Sequence, residues 1–400
     1  MRNEAYLPPG FGEAPSPGAL IDHLSAGETA LAGVPDREIL SAWESTVGAF
    51  LDPGSAESRE LRPHLIRSSR LSPAGLDAAL RAVLGGVRRA PAKEILRQAA
   101  ALPHTSREPV LVVLAGNLPG LAVQSLLPSL ALRRPILLKS PSAEPHFTPA
   151  FLSALARRLP AAAGAMAVLR WKGGDEGFEE PLLARAGKIL AYGDSDSIAD
   201  LRRRSPAPVL GYGPRISLAV IAAGTDPESV AKGLARDIAL FDQRGCLSIH
   251  GIFTAGGPAP LARALGRSLE VLAARWAPGP IALEEAATAR QEIETAHLQG
   301  LEVLELPLGH GAVIVDPEVR LKASPGLRTV RIHRLEDLEG LPSRLSSWQD
   351  LLQGVAMVGL EELRPPLRAL GVSRFARPGE LQSPDVTWHN GGVSPLEALA

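Results

Sequence analysis

Cysteine is nearly absent. Cys246 is the only one in 400 residues, which excludes an intramolecular disulfide framework and fits a reducing, cytoplasmic compartment. Aromatic residues make up only 4% of the chain, too few for a platform that stacks single-stranded bases. Acidic and basic residues nearly cancel, with a formal net charge of -1, so no overall field recruits nucleic acid or an anionic membrane. Met1 to Gly10 lack the apolar stretch behind a basic start that a secretory signal needs. A Gly-x-Gly-x-x-Gly dinucleotide fingerprint is missing as well. The nearest approach, Gly211-Tyr-Gly-Pro-Arg-Ile216, lacks the third glycine and precedes a strand-like run. No cluster of His, Cys and carboxylates has metal-ligand spacing, so no metal is expected. There is no repeat of fixed period.

Apolar residues at 45% and charged residues at 21% give an ordinary globular balance. The longest apolar run, Val110 to Leu132, has the length of a membrane span. It contains Asn117, Pro119, Gln124, Pro128 and Ser129, however, and reads better as a strand, a turn and a buried helix. No membrane span is expected.

The chain divides by texture. Residues 1–108 read as a helical leader, with helix-like spacing at Ser41–Leu51, Ser72–Val87 and Pro91–Ala101 between Pro/Gly breaks. Its histidines, His23, His64 and His104, stand apart from one another and read as surface or packing residues. Over 109–214 short apolar strands alternate with helices: Val110–Ala115, Pro135–Lys139, Ala165–Arg170, Lys188–Tyr192 and Pro208–Tyr212 are the strands. That alternation implies a parallel, doubly wound sheet, which binds ligands at the carboxyl ends of its strands. A second α/β unit over 215–370 carries Cys246, and 371–400 is a polar, Gly/Pro-rich closing segment. In the second unit Asp226-Pro227 starts a helix, as N-cap and first helical residue.

Cys246 follows that helix in the turn Phe241-Asp-Gln-Arg-Gly-Cys-Leu-Ser248 and precedes a strand-like run. Two readings stay open from this window: a small buried hydrophobe, or a partly exposed thiol held as thiolate beside Arg244. Other segments are similarly two-sided. Asn117, in the turn after the first strand, either tolerates left-handed backbone or aims its amide at a substrate oxygen. Lys139 at the end of the next strand is either solvated or reaches into the crevice toward a ribose or a phosphate. Tyr192-Gly-Asp-Ser195 opens a helix whose free amides suit a pyrophosphate, although Asp194 and Asp196 suit plain capping. His250 sits four residues past Cys246, too far along a strand to form a dyad, and reads as structural.

A strand-end Asn, a strand-end Lys, a Gly-x-Ser turn and then a Cys in a second unit is the order found in the aldehyde dehydrogenase superfamily. Within it the chain resembles the fatty acyl-CoA reductase (LuxC-type) family. The likeness spans roughly 108–400 and rests on Ala115-Gly-Asn-Leu-Pro119, Leu137-Leu-Lys-Ser-Pro-Ser142, Ala191-Tyr-Gly-Asp-Ser195, Gly211-Tyr-Gly-Pro-Arg-Ile-Ser217, Asp242-Gln-Arg-Gly-Cys246 and Trp388-His-Asn-Gly-Gly392. It implies an aldehyde dehydrogenase-like fold of two doubly wound α/β domains behind the helical leader. By the same resemblance Cys246 is the nucleophile that accepts the acyl group, and Asn117 stabilises the oxyanion. Lys139, Ser142, Gly193 and Ser195 are then the cofactor contacts. The implied activity is reduction of a long-chain acyl-CoA or acyl-carrier thioester to the aldehyde by NADPH, with NADH as the alternative. A homo-oligomer, dimer or tetramer, and an acyl-transfer partner protein are further implications.

Two departures bear on the chemistry. Hydrolytic members carry a Glu-Leu-Gly-Gly general-base segment, and the corresponding stretch here, Gly211–Ser217, has no carboxylate. That fits an enzyme that spares its thioester from water. The superfamily's Glu-x-Phe-Gly-Pro ribose contact is not visible. The rival expectations are an acyl-phosphate reductase of the same superfamily, and a non-catalytic acyl-binding or scaffold subunit.

Overall fold

A computed structural model of the protein describes residues 5–11, 16–102 and 107–400. His104 and Met1–Glu4 lie outside the described residues. Among the described residues the leader folds as five helices: α1 (Pro17–Ala32), α2 (Asp36–Leu51), α3 (Ala56–Ser69), α4 (Pro73–Gly85) and α5 (Arg89–Ala99). Ser16, Ser55 and Ser72 cap α1, α3 and α4 with their hydroxyls, which satisfies first-turn amides that lack an intrahelical partner. The spacing in the sequence picks out α2, α4 and α5 but not α1 or α3. Both are shorter of apolar stripe and gain their burial from later elements: α1 packs on the segment Pro160–Ala165, and α3 on the helix that follows the second strand.

The first sheet is all parallel. Its strands are β1 (Val110–Val113), β2 (Ile136–Lys139), β3 (Met166–Leu169), β4 (Lys188–Tyr192) and β5 (Val209–Tyr212), in the order β3-β2-β1-β4-β5. Helices α6 (Val123–Ala131), α7 (Phe147–Arg158), α8 (Glu176–Arg185) and α9 (Ser195–Arg204) connect them. Val110, Leu111 and Val112 are buried, as are Ile136–Leu138, so both faces of the sheet are covered, as continuous apolar strands require. The chain winds outward from β1 to β3, then returns to place β4 on the other side of β1. The switch point, where such sheets bind ligands, therefore lies between the loops after β1 and β4.

The second sheet has seven strands: β6 (Ile216–Ile221), β7 (Ile249–Thr254), β8 (Glu302–Glu305), β9 (Ala312–Asp316), β10 (Val330–Arg334), β11 (Leu352–Val358) and β12 (Arg374–Ala376), in the order β12-β11-β6-β7-β10-β9-β8. All neighbours are parallel except the edge pair β8 and β9. Helices α10 (Pro227–Ala239), α11 (Pro258–Arg275) and α12 (Leu283–Leu298) pack on this sheet. Asp226 caps α10 and Pro227 opens it, as the sequence predicts. Both sheets bear out the α/β class expected. Among the described residues no helix is long and apolar enough to cross a membrane. The run from Val110 resolves into β1, a turn and α6.

Candidate active site

The chain between α10 and β7 is held in an unfavourable conformation. Phe241, Asp242 and Gln243 all have positive φ, at 57°, 49° and 63°, and none is glycine. Left-handed backbone costs about 1–2 kcal/mol for each such residue, so other contacts must hold it. Asp242 provides the clamp: its carboxylate accepts from Arg328 Nη2 at 2.8 Å and from the Gly279 amide at 2.9 Å. Gln243 Nε2 donates to the carbonyls of Ile249 and Thr329. Arg244 turns away from the thiol and donates to the carbonyls of Ser69 and Arg70, tying the turn to the leader.

Gly245 and Cys246 are fixed from the other side. The Gly245 amide donates to Ser248 Oγ at 3.1 Å, and that hydroxyl donates to Gln382 Oε1 at 3.2 Å. A Cβ at position 245 would come within 2.7 Å of Gln382 Oε1, so a larger residue there would displace the Gln382 amide from Ser248. Ser217 Oγ donates to the Cys246 carbonyl at 3.0 Å. Asn117, from the loop after β1, donates from Nδ2 to the Arg244 carbonyl at 3.0 Å. The two sheets thus meet at the cysteine.

Cys246 opens into a cavity of about 580 Å³ whose wall also includes Asn117, Tyr192, Gly193, Arg215 and His250. Part of the residue faces the cavity, but protein surrounds the sulfur closely. Burial pushes the thiol up to about 11, against the pull of nearby backbone amides and the Arg215 guanidinium. Of the two readings left open for this residue, the burial favours the protonated thiol in the resting site. The cation that acts on it is Arg215. It makes no hydrogen bond or ion pair among the described residues.

His250 also reaches the cavity. Its Nδ1 accepts from the Ser324 amide at 3.0 Å, so in the neutral ring Nε2 carries the hydrogen and no acceptor nitrogen remains for a thiol proton. Burial lowers its pKa from 6.5 to about 4. Between those values the unfolded imidazole binds a proton that the folded one does not, so stability falls as pH falls through that window. Across that window the loss should reach at most about 3 kcal/mol, and His250→Asn should flatten that limb in urea titrations at stepped pH.

Of the residues singled out by sequence, Cys246, Asn117 and Gly193 share the cavity wall; Lys139, Ser142 and Ser195 are not part of it. Lys139 Nζ donates to Glu179 at 2.7 Å and lies 5.0 Å from the Trp171 ring centre. Burial alone would raise the Glu179 carboxyl, but hydrogen bonds from Lys139, Gly174, Arg204 and Trp171 hold it at about 2. An ammonium carries three hydrogens, and the bond to Glu179 uses one. Ser142 and Ser195 are exposed, at the carboxyl edges of β2 and β4. Asp194 caps α9, taking the Ser197 amide and hydroxyl. The Gly193 turn at the switch point between β1 and β4 is open: outside its chain neighbours, only Ser197 Cβ lies within 4 Å of an added Cβ. The capped start of α9 leaves Ser195 as the free hydroxyl there. Among the described residues no cluster of three metal-ligating groups occurs. Gln382 and Arg215 are the site residues that sequence reasoning missed. Gln382 carries no local signal, being brought in by the chain's last loop.

The fold is that of aldehyde dehydrogenases. Aldehyde dehydrogenase 21 of Physcomitrella patens, solved with the product succinate, superposes with a TM-score of 0.69 at 14% identity over 94% of this chain and 84% of its own. A glyceraldehyde-3-phosphate dehydrogenase of Methanocaldococcus jannaschii complexed with NADP gives 0.67 at 13% identity, covering 94% and 88%. By sequence, a long-chain acyl-protein thioester reductase of Aliivibrio fischeri is 25% identical over 296 residues, which is 72% of this chain and 61% of that protein. The match therefore spans less than two thirds of the relative's length. Residues 71–400 match the model of the acyl-CoA reductase (LuxC) family, a stretch that takes in both sheets and the cysteine turn, and the chain belongs to that family.

Proposed function

We propose that the protein reduces a long-chain acyl thioester to the corresponding aldehyde, through an acyl group held on Cys246. The observation that carries this reading is a single cavity in which a clamped cysteine and the Asn117 amide meet at a sheet switch point, with Leu118, Leu121 and Val393 supplying an apolar wall. The Cys246 sulfur attacks the thioester carbonyl, the bond to the carrier sulfur breaks, and the carrier thiol leaves with the proton. An amide nitrogen carries two hydrogens. The bond from Asn117 to the Arg244 carbonyl uses one, and the other serves the oxyanion together with the Cys246 backbone amide. A bound reduced nicotinamide supplies the hydride that takes the acyl group to aldehyde level, with Lys139, Ser142, Gly193 and Ser195 as its holding residues. NADPH is the donor we expect, with NADH as the alternative; the Methanocaldococcus neighbour was solved with NADP.

Water is kept from the acyl-enzyme by what the wall lacks. Asp194 is the carboxylate among the lining residues, and its oxygens are engaged by Ser197. No free base stands ready to activate water, which favours reduction over hydrolysis. The acyl source in this reading is CoA or an acylated protein, since the Aliivibrio relative acts on acyl-protein thioesters. A homo-oligomer working in the cytoplasm completes it. The unpaired Arg215 favours a second reading, in which an acyl phosphate is the substrate and the guanidinium meets the leaving phosphate.

The test is aldehyde formation, trapped as a hydrazone, from tetradecanoyl-CoA, a tetradecanoylated carrier protein and an acyl phosphate, each with NADPH and with NADH. Aldehyde from a thioester supports the first reading, and aldehyde from the phosphate alone replaces it with the second. No aldehyde from any donor refutes both. Asn117→Ala should lower kcat by about 10²–10³ with KM little changed, in steady-state assays on the competent donor.

A further inference from the structure

The inner half of the cavity is not used by the thiol chemistry. β4 runs with its carboxyl end at Gly193, so Leu190 lies about 6–7 Å back along the strand from Tyr192. It still lines the cavity. Facing it from other elements are Val83 of α4 and Val393, Pro395, Ala398 and Leu399 of the closing segment. Ala398 and Leu399 are only 3% and 1% exposed.

That segment is pinned at the amino edge of the first sheet, opposite the edge that carries the site. Arg134, which precedes β2, donates to the Leu399 carbonyl. Lys188, the first residue of β4, donates to the Glu397 carbonyl at 2.7 Å. Leu396 packs with Ala398 and Leu399 into the core cluster shared by α4, α5 and α6. The cavity is therefore a slot that runs along the sheet face from Cys246 at the carboxyl edge toward Leu399 at the amino edge. Its volume, about 580 Å³, lies within the range of about 300–1,000 Å³ usual for small-molecule sites.

Resting on the thioester-reductase reading, we infer that the segment Val393–Leu399 is the end-wall of an acyl slot, with Ala398 and Leu399 setting the longest straight alkyl chain that Cys246 accepts. A chain bonded to the sulfur extends down the slot, and each methylene buried there strengthens binding about fourfold until its terminus meets these two side chains. Beyond that length further methylenes force the segment off Arg134 and Lys188, and selectivity reverses.

The experiment compares kcat/KM for octanoyl- and hexadecanoyl-CoA in the wild type, Ala398→Phe and Leu399→Ala, all as full chains. The hexadecanoyl-to-octanoyl ratio should fall about tenfold or more in Ala398→Phe, the loss that one or two misfitted methylenes bring, and should rise in Leu399→Ala. Ratios within about twofold of wild type in both variants would overturn the inference. If Ala398→Phe does not fold, Leu399→Ala decides alone. Should the wild type reduce neither CoA ester, the same comparison is made with octanoylated and hexadecanoylated carrier protein, and reduction of none of the four sinks the reductase reading. The slot is then judged by equilibrium binding of octanoic and hexadecanoic acids to the same proteins. The same change in ratio is expected there, and an unchanged ratio rejects the slot.

Discussion

Mixed with tetradecanoyl-CoA and no reductant, the wild-type protein should gain the mass of one acyl group on Cys246, and Cys246→Ala should gain none. Adding NADPH should discharge the adduct and release aldehyde. This is the largest functional effect expected, because Cys246 is the only cysteine in the chain and no other side chain lining the cavity is a comparable nucleophile. The pH dependence follows from the buried thiol. With its pKa pushed up to about 11, only about one part in ten thousand is thiolate at neutral pH. Iodoacetamide should therefore alkylate Cys246 about a hundredfold more slowly than an ordinary cysteine. The rate should climb about tenfold per unit of pH until the thiol titrates. Arg215→Gln removes the neighbouring positive charge and should slow alkylation further at every pH below that point. Fast alkylation at neutral pH would show the thiol to be ionised and the burial argument wrong. An adduct that also forms on Cys246→Ala would move the nucleophile elsewhere.

Much of this was legible in the chain. The alternation of short apolar strands with helices from Val110 onward announces a parallel sheet, and Asp226-Pro227 announces the start of α10. The order Asn117, Lys139, Gly193-Asp-Ser195, Cys246 resembles the family to which the chain belongs. Features set by distant partners stayed hidden. Nothing local says that Phe241, Asp242 and Gln243 adopt left-handed backbone, because the residue that holds them there, Arg328, is 86 positions away from Asp242. Lys139 looks free in the sequence, yet its partner Glu179 lies 40 residues on, in α8. β11 and β12 carry little strand signal, because Leu352–Val358 has Gln353 and Gly354 among its apolar residues and Arg374–Ala376 has only three residues. β11 becomes a strand by pairing with β6, and β12 by pairing with β11. The closing segment reads as polar and Gly/Pro-rich, but its last apolar residues fill a groove in the first sheet's core.

Loss of the clamp behind the nucleophile should be the largest stability effect. Arg328 is fully buried and Asp242 is 3% exposed, and the pair is completed by Arg328 Nη1 donating to the Trp276 carbonyl at 3.0 Å. Arg328→Met leaves a buried carboxylate with the Gly279 amide as its principal partner. Removing one member of such a pair costs about 3–5 kcal/mol, which urea unfolding should report as a lower midpoint at unchanged slope. Asp242→Asn should cost a similar amount, since it leaves the guanidinium buried without a counter-charge. The double variant Asp242→Leu/Arg328→Met discriminates between stability and positioning. Replacing both charges with apolar groups of similar volume is often neutral for folding, so the double variant should recover most of the lost stability. It should not recover the rate of Cys246 acylation. Without the carboxylate bonds, three adjacent non-glycine residues are free to leave the left-handed region, and the sulfur loses its fixed approach to the carbonyl. Should acylation return with stability, the clamp serves the fold alone and the turn keeps its shape from Gln243 and Gln382.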